Sequence, residues 1–195
     1  MKRVAVVLLV LLLACACARS GPQPDERCAD LSGASAFPAH SLEDWVTYGD
    51  HLTSAQVRPT EEEGTVELVP AVTLWSRPAA PPAPGPLRRS ADRGRYDPEL
   101  KAGHTYLTLL FRWNPSGQAV EWGSIDVLAF DDGIVGQGPD QCWSAGSRPA
   151  REQLWGLDEA GVRQLMISTA PDPLAAPYAN LPPDERYQRV AADRE

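Results

Sequence analysis

Cys15 and Cys17 stand one residue apart behind an unbroken apolar run, Val4 to Leu13. Three chemistries are open to thiols so placed: attachment of a lipid through sulfur, chelation of a metal by a terminus newly cut at Cys15, or none, if they merely flank a discarded targeting peptide. Two further cysteines, Cys28 and Cys142, lie 114 positions apart. In an oxidising compartment they are natural disulfide partners, closing a loop that the chain-entropy model values at about 4 to 5 kcal/mol, less any strain. The competing reading, a metal site, lacks any C-x-x-C pair or close His partner. The remaining reactive set is cationic. Arg88, Arg89, Arg93 and Arg95 gather in "LRRSADRGRY", either as an anion-binding cluster for a lipid headgroup or cell-wall phosphate, or as a solvated loop.

Catalytic constellations are harder to find. His40, His51 and His104 are the only histidines, and none has H-x-H or H-E-x-x-H spacing; G-x-S-x-G, Walker and dinucleotide fingerprints are absent. Glu61, Glu62 and Glu63 beside Gly64 read as a solvated charge run, and Asp131 with Asp132 as turn chemistry rather than calcium ligands. A triad assembled from distant positions stays open as an alternative. The expectation is no catalytic residue, no metal and no cofactor.

Lys2 and Arg3 precede the ten-residue apolar stretch, which is far short of the roughly 20 residues of a spanning helix and has the layout of an export signal. Directly after it, Leu12, Leu13, Ala14 and Cys15 resemble the lipobox of bacterial lipoproteins, with Leu13 bulkier than the residue usual there. The resemblance implies a signal peptide over residues 1–14, a diacylglyceryl group on the Cys15 thiol and acylation (commonly palmitate) of the new amine. Two or three acyl chains anchor stably where one is marginal. Ordinary cleavage near Ala16 or Ala18 and an uncleaved anchor are the alternatives. Removing residues 1–14 takes two positive charges and no negative one from a chain of net charge −8, leaving −10. Nucleic acid is a poor partner for such a chain. The implied location is the outer face of the cell membrane, with a membrane lipid held through Cys15 and a protein or envelope component as partner.

The elements that must position these residues begin after a small, polar, Pro-dotted tether, residues 15–38. In "HSLEDWVTYGD", Ser41 and Asp44 have capping-box spacing and Leu42, Trp45 and Val46 share a face, which predicts a short helix ended by Gly49. Strand patterns follow: a weak one in "HLTSAQVR" with Thr53, Ala55 and Val57 on one side, and a stronger one in "GTVELVPAVTLW" with Val66, Leu68, Pro70, Val72 and Leu74 along one face. Pro70 predicts a bulge or an edge. "RPAAPPAPGP" is a stiff surface loop, "HTYLTLLFRWN" the clearest strand, and residues 119–136 a hairpin turning at Asp132 and Gly133. Asp158 caps a helix whose Val162, Leu165 and Met166 lie on the sheet. Residues 171–195 read as a Pro-rich extension with one short helical turn near Glu185 to Val190. One β-rich domain over residues 39–170 is expected.

The step Leu100, Gly103, Tyr106, the "LWSRP" of residues 74–78 and the "PDP-x-A…L-x-P-x-E-R-Y" ending of residues 171–187 resemble an actinobacterial exported lipoprotein family of unknown function. More distantly, the strand order resembles the OB-type barrel of netrin-like domains and tissue inhibitors of metalloproteinases. That likeness implies a mainly β (α+β) fold: a small OB-like five-stranded barrel or strongly twisted antiparallel sheet, with a short N-terminal helix and a C-terminal helix. Those inhibitors begin with Cys-x-Cys and chelate a protease zinc through the first amine. Cys15, Ala16 and Cys17 repeat the spacing, but the amine must be unacylated to donate its lone pair. The resulting expectation is a non-catalytic binding module, with inhibition through an unmodified Cys15 terminus as one alternative and an enzyme as the other.

Overall fold

The computed structural model describes residues 41–91, 100–113, 121–136 and 148–195. The expectations for Cys15, Cys17, Cys28, Cys142, Arg93, Arg95, the signal and the tether lie outside the described residues. Helix α1 (Leu42–Tyr48) forms where the capping box places it. The Asp44 backbone N–H donates to Ser41 Oγ at 3.0 Å and the Ser41 N–H to the Asp44 carboxylate at 2.9 Å. Two turns are too few to be stable alone; burial of Leu42, Trp45 and Val46 holds them in place. Gly49 ends the helix because nothing larger fits: a Cβ there would lie 2.6 Å from Leu109 Cδ1.

Five antiparallel strands follow: β1 (His51–Pro59), β2 (Thr65–Ser76), β3 (Leu87–Ser90), β4 (Thr105–Trp113) and β5 (Glu121–Ala129), in the spatial order β3-β2-β1-β4-β5. The sheet curls so far that its two edges meet. From β3, Arg89 Nε donates to Ser124 Oγ of β5 at 3.0 Å, and Nη2 to the Trp122 carbonyl at 3.2 Å. The result is a nearly closed, barrel-like sheet with helices at both ends, the small mainly β, OB-like fold. "LRRS", read above as loop, is thus the edge strand that brings the barrel close to closure.

Two apolar clusters fill the structure. Inside the curve sit Ala55, Val57, Val66, Leu68, Leu100 and Tyr106. On the other face, Leu52, Leu107, Leu109 and Leu128 pack under α1, α2 (Arg148–Leu154) and α3 (Glu159–Ser168). β1 reads weakly in sequence because it is central and buried on both faces, so its inner side can be small and polar. β2 does not keep one apolar face. Its pairing with β1 slips from Ala55↔Pro70 to Ser54↔Val72, and again from Thr53↔Thr73 to Leu52↔Trp75. Pro70, which cannot donate to the ladder, sits at the first slip. Val66 and Leu68 therefore join the inner cluster, Leu74 joins the helix-covered one, and Val72 is exposed.

Other local signals resolve physically. Gly103 takes a left-handed φ of 85°, Leu100 plugs the inner cluster, and Tyr106 Oη accepts from the Lys101 N–H at 3.1 Å. Asp132 and Gly133 both have positive φ, at 52° and 74°, the turn that the Asp-Gly pair predicts. The returning chain pairs only through single bridges, Ala129↔Gly136 and Ile134↔Asp158. Asp158 caps α3 by accepting from the Gly161 N–H at 2.8 Å.

The C-terminal extension departs most from expectation. A 3-10 helix over Pro173–Tyr178 leads into α4 (Pro183–Asp193), which packs against α1 and β4. Arg186 and Val190 are buried, and Tyr187 meets Tyr48 edge-on at 5.7 Å between centroids. Among the described residues no helix is long and apolar enough to cross a membrane.

Candidate functional site

The last residues of α1, the end of β2, the C-terminal half of α3 and the 171–179 segment surround a pocket of about 550 Å³, inside the range of roughly 300 to 1,000 Å³ usual for small-molecule sites. Each wall has a local cause. α1 delivers Val46 and Thr47; the second slip in β2 turns Trp75 toward the helix-covered face; α3 contributes Met166 and Ile167. Asp172 holds the far wall, its backbone N–H donating to Thr47 Oγ1 at 2.8 Å while its carboxylate accepts from the Leu174 N–H at 2.9 Å and pairs with Arg194.

The floor is charged. Arg77, directly after β2, and Arg186 of α4 both line the pocket and are 7% and 1% exposed. Arg77 Nη2 donates to Asp50 Oδ1 at 2.7 Å and Nη1 to the Ala179 carbonyl at 2.6 Å. Asp50, fully buried between α1 and β1, also accepts from Arg112 Nε at 3.0 Å and from the Arg112 backbone N–H at 3.1 Å. Burial works to raise the Asp50 pKa, but hydrogen bonds and charge from Arg112 and Arg77 outweigh it and hold the carboxyl below its ordinary value. Arg186 is bonded to backbone carbonyls: Nη1 to Thr47, Nη2 to Leu181 at 2.8 Å and Nε to Tyr178 at 3.3 Å. Desolvation, reinforced by Arg77, pushes its pKa down to about 10, which still leaves it charged near neutrality.

Beside this floor, His51 links β2 to the Pro-rich loop, its Nδ1 2.8 Å from Ser76 Oγ and its Nε2 2.8 Å from the Pro81 carbonyl, with the ring stacked on Trp122. Burial lowers its pKa. Of the arginines singled out in the sequence, Arg88 is exposed, 3.8 Å from Glu67 and in an open depression with Glu61 and Glu62, while Arg89 ties the sheet edges together. Arg88 and Arg89 thus point to different places, and Arg93 and Arg95 lie outside the described residues. The tryptophans divide: Trp45 is core, Trp75 lines the pocket, and Trp113 and Trp155 are partly exposed.

Among the described residues no three His, Cys, Asp or Glu side chains converge as a metal site would require. The residues that do converge, Asp50, Arg77, Arg112 and Arg186, escaped the sequence reading, although Arg77 and Arg186 fall inside the quoted "LWSRP" and "ERY". The available signal was an arginine at the end of an apolar strand and another in a helix otherwise too polar to dock. Compared with known proteins, the chain matches no family model, no curated protein and no solved structure.

Proposed function

We propose that this chain is an exported, lipid-anchored binding module without catalytic function, held at the outer face of the cell membrane through Cys15, whose ligand enters the pocket between α1, α3 and the C-terminal segment. The pocket carries the reading: apolar walls with a few buried polar groups at one end are the usual composition of a small-molecule site. Anchoring rests on the signal and lipobox pattern ending at Cys15. The barrel-like sheet supports kinship with OB-type netrin-like domains, and the quoted motifs support kinship with the actinobacterial lipoproteins.

Two measurements test this reading. Nile red, a neutral apolar dye, binds the wild-type chain with increased emission and fails to bind an Ala176→Trp variant, in which the new ring fills the pocket from its exposed wall; equal binding to both places the dye elsewhere and removes the pocket as a site. Intact mass of the mature protein from its native host carries diacylglyceryl and acyl groups on Cys15. An unmodified terminus at Cys15 overturns the anchor and leaves zinc chelation chemically open.

A further inference from the structure

The charged groups at and beneath the floor of the pocket hold more positive charge than the described residues neutralise. Asp50 supplies one negative charge to Arg77 and Arg112 together, and Arg186 is bonded to the carbonyls of Thr47, Tyr178, Ala179 and Leu181. Asp172 also lines the pocket, but its charge is matched by Arg194. Counting these six groups leaves an excess of two positive charges in a chain of net charge −8. One donor is also unfilled: Arg77 Nε–H is buried and meets no acceptor among the described residues. A desolvated guanidinium N–H without an acceptor is a standing cost, and it belongs to a residue that lines the pocket, where an anionic oxygen meets the excess positive charge.

The rest of the pocket selects for hydrocarbon. Val46, Trp75, Met166, Ala175 and Ala176 form its walls. Ile167, at its rim, is 71% exposed, and Leu174, between the lining Pro173 and Ala175, is 43% exposed. Ile167 carries the apolar lining out to the protein surface.

Resting on the pocket reading above, the geometry points to a single-chain amphiphile with a carboxylate head as the ligand. The carboxylate accepts from Arg77, offsetting the excess charge, and the chain runs along Trp75, Met166 and Ile167 toward the mouth. A neutral head supplies no compensating charge, and a cationic head adds to the excess.

The test is calorimetric titration of the full chain carrying Cys15→Ser, so that no attached lipid competes, with monomeric dodecanoate, dodecanol and dodecylammonium. A charge-assisted hydrogen bond in a desolvated site corresponds to roughly ten- to a hundredfold in affinity. Dodecanoate therefore binds tighter than dodecanol by that factor, and dodecylammonium does not bind. Arg77→Lys, which keeps a positive charge for Asp50 but removes the guanidinium fork, erases most of the preference for dodecanoate over dodecanol. Ala176→Trp, which keeps both arginines but fills the pocket, abolishes binding of both. Equal affinity for dodecanoate and dodecanol overturns the carboxylate assignment while Nile red binding keeps the pocket. Failure of Nile red and of all three amphiphiles overturns the pocket itself, and undiminished dodecanoate binding to Ala176→Trp overturns its location.

Discussion

Replacing Asp50 by Asn changes one atom in shape and, among the described residues, removes the only carboxylate bonded to Arg77 and Arg112. Asp50 is fully buried and takes the two guanidinium contacts at 2.7 and 3.0 Å. In Asp50→Asn the side chain keeps one acceptor oxygen, but the new amide N–H₂ faces a guanidinium donor, and the buried Arg77 and half-buried Arg112 lose their counter-charge with Arg186 already nearby. Breaking a buried pair by removing one partner destabilises by about 3 to 5 kcal/mol. For a chain of this size that lowers Tm by roughly 6 to 20 °C. Urea unfolding followed by circular dichroism measures it, with an unchanged m-value required for a valid comparison. The sign with pH is also fixed. Folded Asp50 titrates below its ordinary 3.8, so the unfolded chain takes the proton first; the contribution is complete above 3.8 and is lost as pH falls through the lower folded value. The wild type loses this increment on acidification and Asp50→Asn has none to lose. A loss below about 1 kcal/mol at neutral pH, the size of an exposed ion pair, would refute the assignment of Asp50 as the buried counter-charge.

Other perturbations separate the parts of the fold. Gly103→Ala costs about 1 kcal/mol in urea unfolding from backbone strain alone, since its φ is 85° and no atom lies within 4 Å of the added Cβ. Gly123→Ala costs about 1 to 3 kcal/mol for the opposite reason, a Cβ 2.6 Å from Phe111 Cζ in an ordinary strand. Burial holds folded His51 below 6.5, so the unfolded state protonates first and stability falls as pH drops from 6.5 through the folded value; His51→Gln flattens that part of the pH–stability curve. Arg186→Met keeps the aliphatic stem but withdraws donors from the Thr47, Tyr178 and Leu181 carbonyls. The expected destabilisation is about 1 to 3 kcal/mol, seen as faster limited proteolysis within residues 180–195.

Much of the scaffold is legible in the sequence because local chemistry writes it there. Ser41 with Asp44, Asp158 before Val162, Asp132–Gly133 and the strand pattern of residues 105–113 each act over a few positions, and each element appears in the structure, although residues 106–110 are buried on both faces and Trp113 is exposed. The split faces of β2 were half legible: Pro70 announces a slip, but a second slip near Leu74 has no proline to mark it. The floor of the pocket was not legible. Arg77 meets Ala179 across 102 positions and Arg186 meets Thr47 across 139. Their acceptors are backbone carbonyls, which every residue carries, so no residue type betrays the partner. Asp50 adds a carboxylate, but it follows a short helix with nothing to distinguish it from a turn aspartate.

That same long-range construction links the C-terminal tail to the pocket. Asp172, Ala175, Ala176, Ala179 and Arg186 are pocket wall, so a chain whose tail has undocked has no complete site. A ligand that enters the pocket binds the docked form and not the undocked one, and it stabilises docking by about 2.7 kcal/mol at a hundred times its Kd. Cleavage within residues 180–195 that proceeds through undocking is then slowed roughly a hundredfold. Dodecanoate at that excess is expected to protect the wild-type tail from protease while leaving the Ala176→Trp tail as susceptible as before. Protection that is the same in both chains would trace to protease inhibition, and unchanged cleavage of a wild-type chain that calorimetry finds saturated would mean the tail is not part of the binding site. The apolar rim at Ile167, the two arginines of the floor and the docking of α4 are then one coupled unit rather than three features of the surface.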